Sequence, residues 1–171
     1  MPQREVAGSN SASRYHYQAL YGLALIFETH KRDGDYAVVF EYHDDIAMLN
    51  DSKTPTKVSF FQVKTKGKGH WNIADILKQQ KSKDKDGKEI KSPSYLANMY
   101  DNVIKFGDQV EGTTFVSNAQ LNFGTKSHSF SLVECDTAEL KKVSEHLKSV
   151  FSGIASIRTD VVRFQKKRLE P

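Results

Sequence analysis

Val58-Ser59-Phe60-Phe61-Gln62-Val63-Lys64-Thr65 is a β-branched and aromatic run that closes on an amide and an amine. Such a composition suits a strand, and strand side chains alternate between faces. Gln62 and Lys64 therefore leave one side, and Phe61 and Val63 the other. Upstream, Ile46-Ala47-Met48-Leu49 reads as a second short strand, and the Asp, Ser, Thr and Pro residues of 50–57 as its connection. A hairpin of this kind sets the carboxylate of Asp45 at the mouth of the strand beside Gln62 and Lys64. An acid, an amide oxygen and an amine then share one small region.

Outward from that hairpin the chain divides by its periodicities. Residues 1–12, with Pro2, Gly8 and several serines, carry none and are expected to form a loose arm; residues 13–152 are expected to form the folded domain. From Ser13 the apolar residues Tyr17, Leu20, Tyr21, Leu23, Leu25, Ile26 and Phe27 cover most of a helix, which predicts burial on more than one side. Tyr36 to Tyr42 reads as the first strand, giving three strands in series with short turns. A short helix is expected over Trp71–Gln80, and an exposed charged loop over 81–92. A second long helix is expected after Ser92, with Pro93 at its first position. Strands follow at Thr113–Ser117 and Ser129–Glu134, and an amphipathic helix at Asp136–Phe151 with Asp136 as its cap. Residues 153–171 read as a basic extension or linker, ending in Lys166-Lys167-Arg168.

The chain has 171 residues, enough for one domain with a real core, and its net charge of +4 permits a polyanionic partner without demanding one. A single cysteine, Cys135, excludes a disulfide within the chain and suits a reducing cytosol. No apolar run approaches the roughly 18 residues that span a bilayer, and no signal-peptide core is present. A soluble, cytoplasmic protein without membrane contact is the expectation.

Asp-Asp-Ile at 44–46 followed by Phe-Gln-Val-Lys-Thr at 61–65 resembles the PD-(D/E)xK nuclease superfamily, in the variant where Gln replaces the second acid. More narrowly it resembles the double-stranded-DNA endonuclease domain at the N-terminus of bacterial anti-phage effectors associated with CD-NTase signalling. The likeness covers roughly residues 12–120: Tyr17-Gln18 on a helix, Glu41 on a strand, Asp45, Gln62-Val63-Lys64, a helix, and Phe115-Val116-Ser117-Asn118. It implies a restriction-endonuclease-like αβββαβ core of the α/β (α+β) class, a mixed sheet flanked by helices, here with a further C-terminal strand and helix. The order of elements read from the residues agrees.

The resemblance also implies a metal-dependent endonuclease acting on double-stranded DNA. Mg²⁺ prefers oxygen ligands and leaves positions to water or phosphate, and Mn²⁺ is expected to substitute. Asp45 is the first choice of ligand, with the side-chain carbonyl of Gln62, the backbone carbonyl of Val63, and Glu41 beside it. Lys64 suits the orientation of water or the stabilisation of phosphorane charge. Gln18 and Asp44 are supporting candidates. Arg14, Lys66, Lys68 and His70 are candidates for phosphate contact, with Lys126 and the terminal basic cluster behind them. Nothing resembles a base-reading helix, so little sequence preference is expected. Relatives of this kind are joined to a sensor that binds a signal, often a cyclic oligonucleotide, and act after homo-oligomerisation.

Each residue also has a plainer use. Asp44 and Asp45 suit a turn, and Lys64 suits an edge strand guarded against aggregation. A catalytically inactive domain that keeps the fold for DNA binding or assembly is the alternative. The scattered histidines 16, 43, 70, 128 and 146 offer no metal-ligand spacing. Gly67 and Gly69 lack the continuation of a phosphate-binding loop.

Overall fold

The computed structural model describes residues 6–32, 34–83, 85, 87, 89–123 and 129–169. In chain order the elements are α1 (Val6–His30), β1 (Ala37–Tyr42), β2 (Asp44–Leu49), β3 (Val58–Lys64), β4 (His70–Trp71), α2 (Ile73–Leu77), β5 (Gln80–Lys83), β6 (Glu89–Ser92), α3 (Tyr95–Phe106), β7 (Val110–Ser117), β8 (Gln120–Leu121), β9 (Ser129–Ser131), α4 (Thr137–Val150) and β10 (Val162–Lys166). Six strands form a mixed sheet in the order β1-β2-β3-β7-β10-β9. The first three are the expected antiparallel meander, and β3 then pairs in parallel with β7. This is a restriction-endonuclease-like α+β architecture.

Alternation along β3 sorts its side chains between two cores. Phe61 and Val63 join Tyr17, Tyr21 and Leu25 of α1 with Ile46 and Val116. Phe60 faces the larger cluster with Leu96, Met99, Tyr100 and Val103 of α3, and Val143 and Leu147 of α4. Burial on both faces explains why β3 reads as a nearly unbroken apolar run. Gly22 allows α1 to approach the sheet closely: a Cβ there would run into the ring of Phe40 and come within 3.3 Å of Ile46.

Four expectations need correction. Residues 6–12 continue α1 and are not part of a loose arm; once the Tyr17–Leu25 stripe has nucleated a helix, each residue added upstream gains a hydrogen bond. Residues 153–171 are no simple extension, because β10 lies inside the sheet between β7 and β9, with Val162 and Phe164 fully buried. The stretch 81–92 is not a loop throughout but contains the paired strands β5 and β6. Trp71–Gln80 forms only five helical residues, preceded by strand β4.

Smaller differences concern ends. Ser94 caps α3 by accepting from the Ala97 N–H at 3.0 Å, so Pro93 lies just outside the helix. Asp136 caps α4 as expected, accepting from the Glu139 N–H at 2.7 Å. After Ser131 the chain turns into a short 3-10 helix instead of continuing as a strand. Among the described residues no helix is long and apolar enough to cross a membrane.

Candidate active site

The site lies where β1 and β3 end and β2 begins. In the antiparallel register Phe40 pairs with Ile46 and Tyr42 with Asp44, so Glu41 stands opposite Asp45. Glu41 and His43, on either side of Tyr42, both have left-handed backbone (φ 55° and 59°). That conformation costs a non-glycine residue of order 1–3 kcal/mol and persists only where surrounding contacts enforce it. Here one enforcing contact comes from α1. The Gln18 Nε2 donates to Glu41 Oε1 at 2.6 Å and to the Asp45 carbonyl at 3.1 Å.

A single oxygen of Asp45 gathers the rest. Asp45 Oδ2 accepts from Gln62 Nε2 at 2.7 Å, from the Val63 N–H at 2.6 Å and from Lys64 Nζ at 2.8 Å. The expected convergence of acid, amide and amine is therefore present. Three donors occupy Oδ2, two of them from side chains on one face of β3. Gln62 is buried; its amide spends one N–H on Asp45 and keeps a second N–H and the carbonyl oxygen.

Two cavities meet at Asp45 and Glu41. One, of about 360 Å³, is lined by Arg14, Tyr15, Gln18, Val63, Lys64, Thr65 and Tyr95 as well as by the two acids. The other, of about 310 Å³, adds His43, Asp44, Gln62, Asn98 and Asp101. The first carries cations and the second is acidic. Burial raises the Asp44 carboxyl from 3.8 to about 7; the hydrogen bond from the Asp45 N–H and the charge of Lys64 oppose the rise, and the carboxylates of Asp45 and Glu41 add to it. Asp44 therefore holds a proton through mildly acid pH.

A divalent cation suits this donor set. The available groups are carboxylate and carbonyl oxygens, the ligands of a hard cation. Asp44 is a buried acid among like charges, and a cation would relieve that repulsion. Among the described residues no three His, Cys, Asp or Glu side chains form a ready cage. Any such ion would therefore depend on Asp45 together with the carbonyls of Gln62 and Val63, and on water or substrate for its other positions.

The phosphate-contact candidates fare unequally. Arg14 is exposed and lines the cationic cavity. Lys66 is committed internally: its Nζ donates to the His70 carbonyl at 2.7 Å and to Asp75 Oδ2 at 3.1 Å, and lies 4.5 Å from the Trp71 ring centroid. Lys68 is exposed on the loop beyond β3, and His70 is exposed at the start of β4. Lys167 pairs with Glu28 at 2.7 Å, and Lys126 lies outside the described residues.

Residues of α3 and of the end of β7 were missed as site neighbours. Tyr95 lines the Lys64 cavity, with its ring centroid 5.9 Å from Lys64 Nζ. Asn98, Asp101 and Asn102 face the acidic side, and Asn102 is buried. Their spacing of three and four residues, polar within an apolar helix, was a readable signal of a shared face. Asn118 holds the strand-end loop by accepting from the Lys66 N–H at 2.9 Å, and Trp71 Nε1 donates to Ser117 Oγ at 2.8 Å.

Residues 6–170 match the family model described as Cap4, dsDNA endonuclease domain. No curated protein and no solved structure matches the chain.

Proposed function

This chain belongs to the family of Cap4 dsDNA endonuclease domains, and from that premise we propose that it hydrolyses double-stranded DNA with Mg²⁺, or Mn²⁺ in its place, and with little sequence preference. The observation that carries the reading is the triple convergence of Gln62, Val63 and Lys64 on Asp45 Oδ2. A strand guarded against aggregation or a simple turn has no need of it.

Asp45, Gln62 through its carbonyl oxygen and Val63 through its backbone carbonyl would hold the ion, with Glu41 and Asp44 adding negative charge nearby. When bound, the ion supplies Lewis acidity toward water and the phosphoryl oxygen. Lys64 spends one N–H on Asp45 and has two left, which suit a non-bridging phosphate oxygen or the attacking water. Its charge offsets the negative charge that grows on phosphorus as water adds and the bridging oxygen leaves. Gln62 and the Val63 N–H fix Asp45 in place, and Gln18 fixes Glu41 opposite it. Arg14 and Tyr15 line the wall of the cationic cavity, where phosphate would be received.

We place the domain in bacterial anti-phage defence, as an effector governed by a sensor domain or partner that responds to a cyclic oligonucleotide and acts through homo-oligomerisation. Family membership supports that setting. The direct test is conversion of supercoiled plasmid to nicked and linear forms. Wild type is expected to convert it in Mg²⁺ and to stop in EDTA, and Asp45→Ala to be inactive while folded. Equal conversion by Asp45→Ala in EDTA would contradict the reading.

A further inference from the structure

The hairpin of β5 and β6 forms its own two-stranded sheet, separate from the six-stranded one. Residues 78–92 hold six lysines and three acids, so they carry three of the four net positive charges of the chain. The register sets position 81 opposite 91 and position 83 opposite 89, so at the first of these a lysine faces a lysine across the ribbon. Like charges directly opposite destabilise a strand pair, and an isolated hairpin is marginal in water. The exposed Lys81–Glu89 pair at 2.9 Å offsets little of this. A polyanion lying on the ribbon would remove the repulsion.

Chain connectivity ties both roots of the hairpin to residues that meet the Lys64 region. β5 follows α2, whose Asp75 binds Lys66 two residues beyond Lys64. β6 leads through Pro93 and Ser94 to Tyr95, which lines the Lys64 cavity. Four residues of strand extend roughly 13 Å. A two-stranded ribbon fits the major groove of B-DNA, about 12 Å wide and about 8.5 Å deep.

We propose that the β5–β6 hairpin is a DNA-gripping ribbon, seated in a groove of the duplex next to the phosphate being cleaved, with Lys81 and Lys85 on backbone phosphates. The proposal rests on the double-stranded-DNA endonuclease reading. Lysine acts there as a point charge, so the grip adds affinity without reading sequence.

The test is binding of a short labelled duplex without divalent cation across a salt series. The proteins compared are wild type, Lys81→Gln/Lys85→Gln, and a variant with 80–92 replaced by Gly-Ser-Gly, a link made short because Gln80 and Ser92 are paired. Lys81 and Lys85 are exposed, so the double variant keeps the fold. The slope of log affinity against log salt is expected to fall by about 0.9 for each phosphate that is no longer neutralised, and affinity at low salt to fall roughly tenfold. An unchanged slope with unchanged affinity overturns the ribbon, as does an equal loss on a single-stranded oligonucleotide of the same length. If wild type cleaves plasmid while both variants bind normally, the ribbon alone fails. If wild type neither binds nor cleaves duplex, the endonuclease reading fails with it.

Discussion

Replacing Asp44 by Asn should stabilise the metal-free protein above neutral pH, by an amount set by the burial of that carboxyl. The folded chain keeps the Asp44 proton up to about pH 7, whereas an unperturbed carboxyl releases it near 3.8. Between those values the folded state binds more protons than the unfolded state, so this group makes stability fall as pH rises. The penalty is absent below about pH 4 and complete above about pH 7. Spread over that interval at 1.36 kcal/mol per pH unit, it reaches about 4 kcal/mol, a large part of the stability of a small domain. Asn at 44 can still accept the 2.9 Å hydrogen bond from the Asp45 N–H and carries no charge to bury. Urea unfolding in EDTA, repeated over a pH series, reads the difference. Wild type and Asp44→Asn should agree in acid and diverge through the interval, the variant ending more stable by a few kcal/mol. A difference independent of pH, or a variant less stable at alkaline pH, would refute the reasoning.

Two further perturbations test the site and its support. Gln62→Glu sets a carboxylate against Asp45 Oδ2 in place of the 2.7 Å hydrogen bond, so metal-free stability should fall by about 1–3 kcal/mol while Mg²⁺ binds more tightly; calorimetric titration showing unchanged affinity would count against Gln62 as a ligand. Trp71→Phe removes the buried hydrogen bond to Ser117 Oγ, and denaturant unfolding should show a loss of about 1–2 kcal/mol. No loss would mean that the loop beyond Lys64 is held by other contacts.

The hairpin of β2 and β3 was legible because its information is local. Alternation places Gln62 and Lys64 together, and the Asp, Ser and Pro residues between Leu49 and Val58 announce the turn that returns Asp45 to them. Glu41 was harder: its place opposite Asp45 follows from a tight turn with two left-handed non-glycine residues, a backbone state that composition does not betray. The strand character of Val162-Arg163-Phe164 is also local, yet its partner β7 lies some fifty residues earlier and pairs in parallel, which no turn signal marks. The ribbon at 80–92 was obscured for the opposite reason. Lysine and aspartate are poor strand formers, so composition argued for a loop where register produced a pair. The internal engagement of Lys66 was invisible too, because a lysine beside an active strand looks the same in sequence whether it meets phosphate or Asp75.

The most direct measurement of the central claim is single-turnover plasmid cleavage by Lys64→Ala in Mg²⁺, with duplex affinity and unfolding recorded on the same preparation. Lys64 Nζ lies 2.8 Å from Asp45 and is assigned to the charge developing on phosphorus. The variant should fold and bind duplex within a few-fold of wild type but cleave at least ~100-fold more slowly, the scale of losing one preorganised donor. Cleavage by folded Lys64→Ala at the wild-type rate would contradict the account.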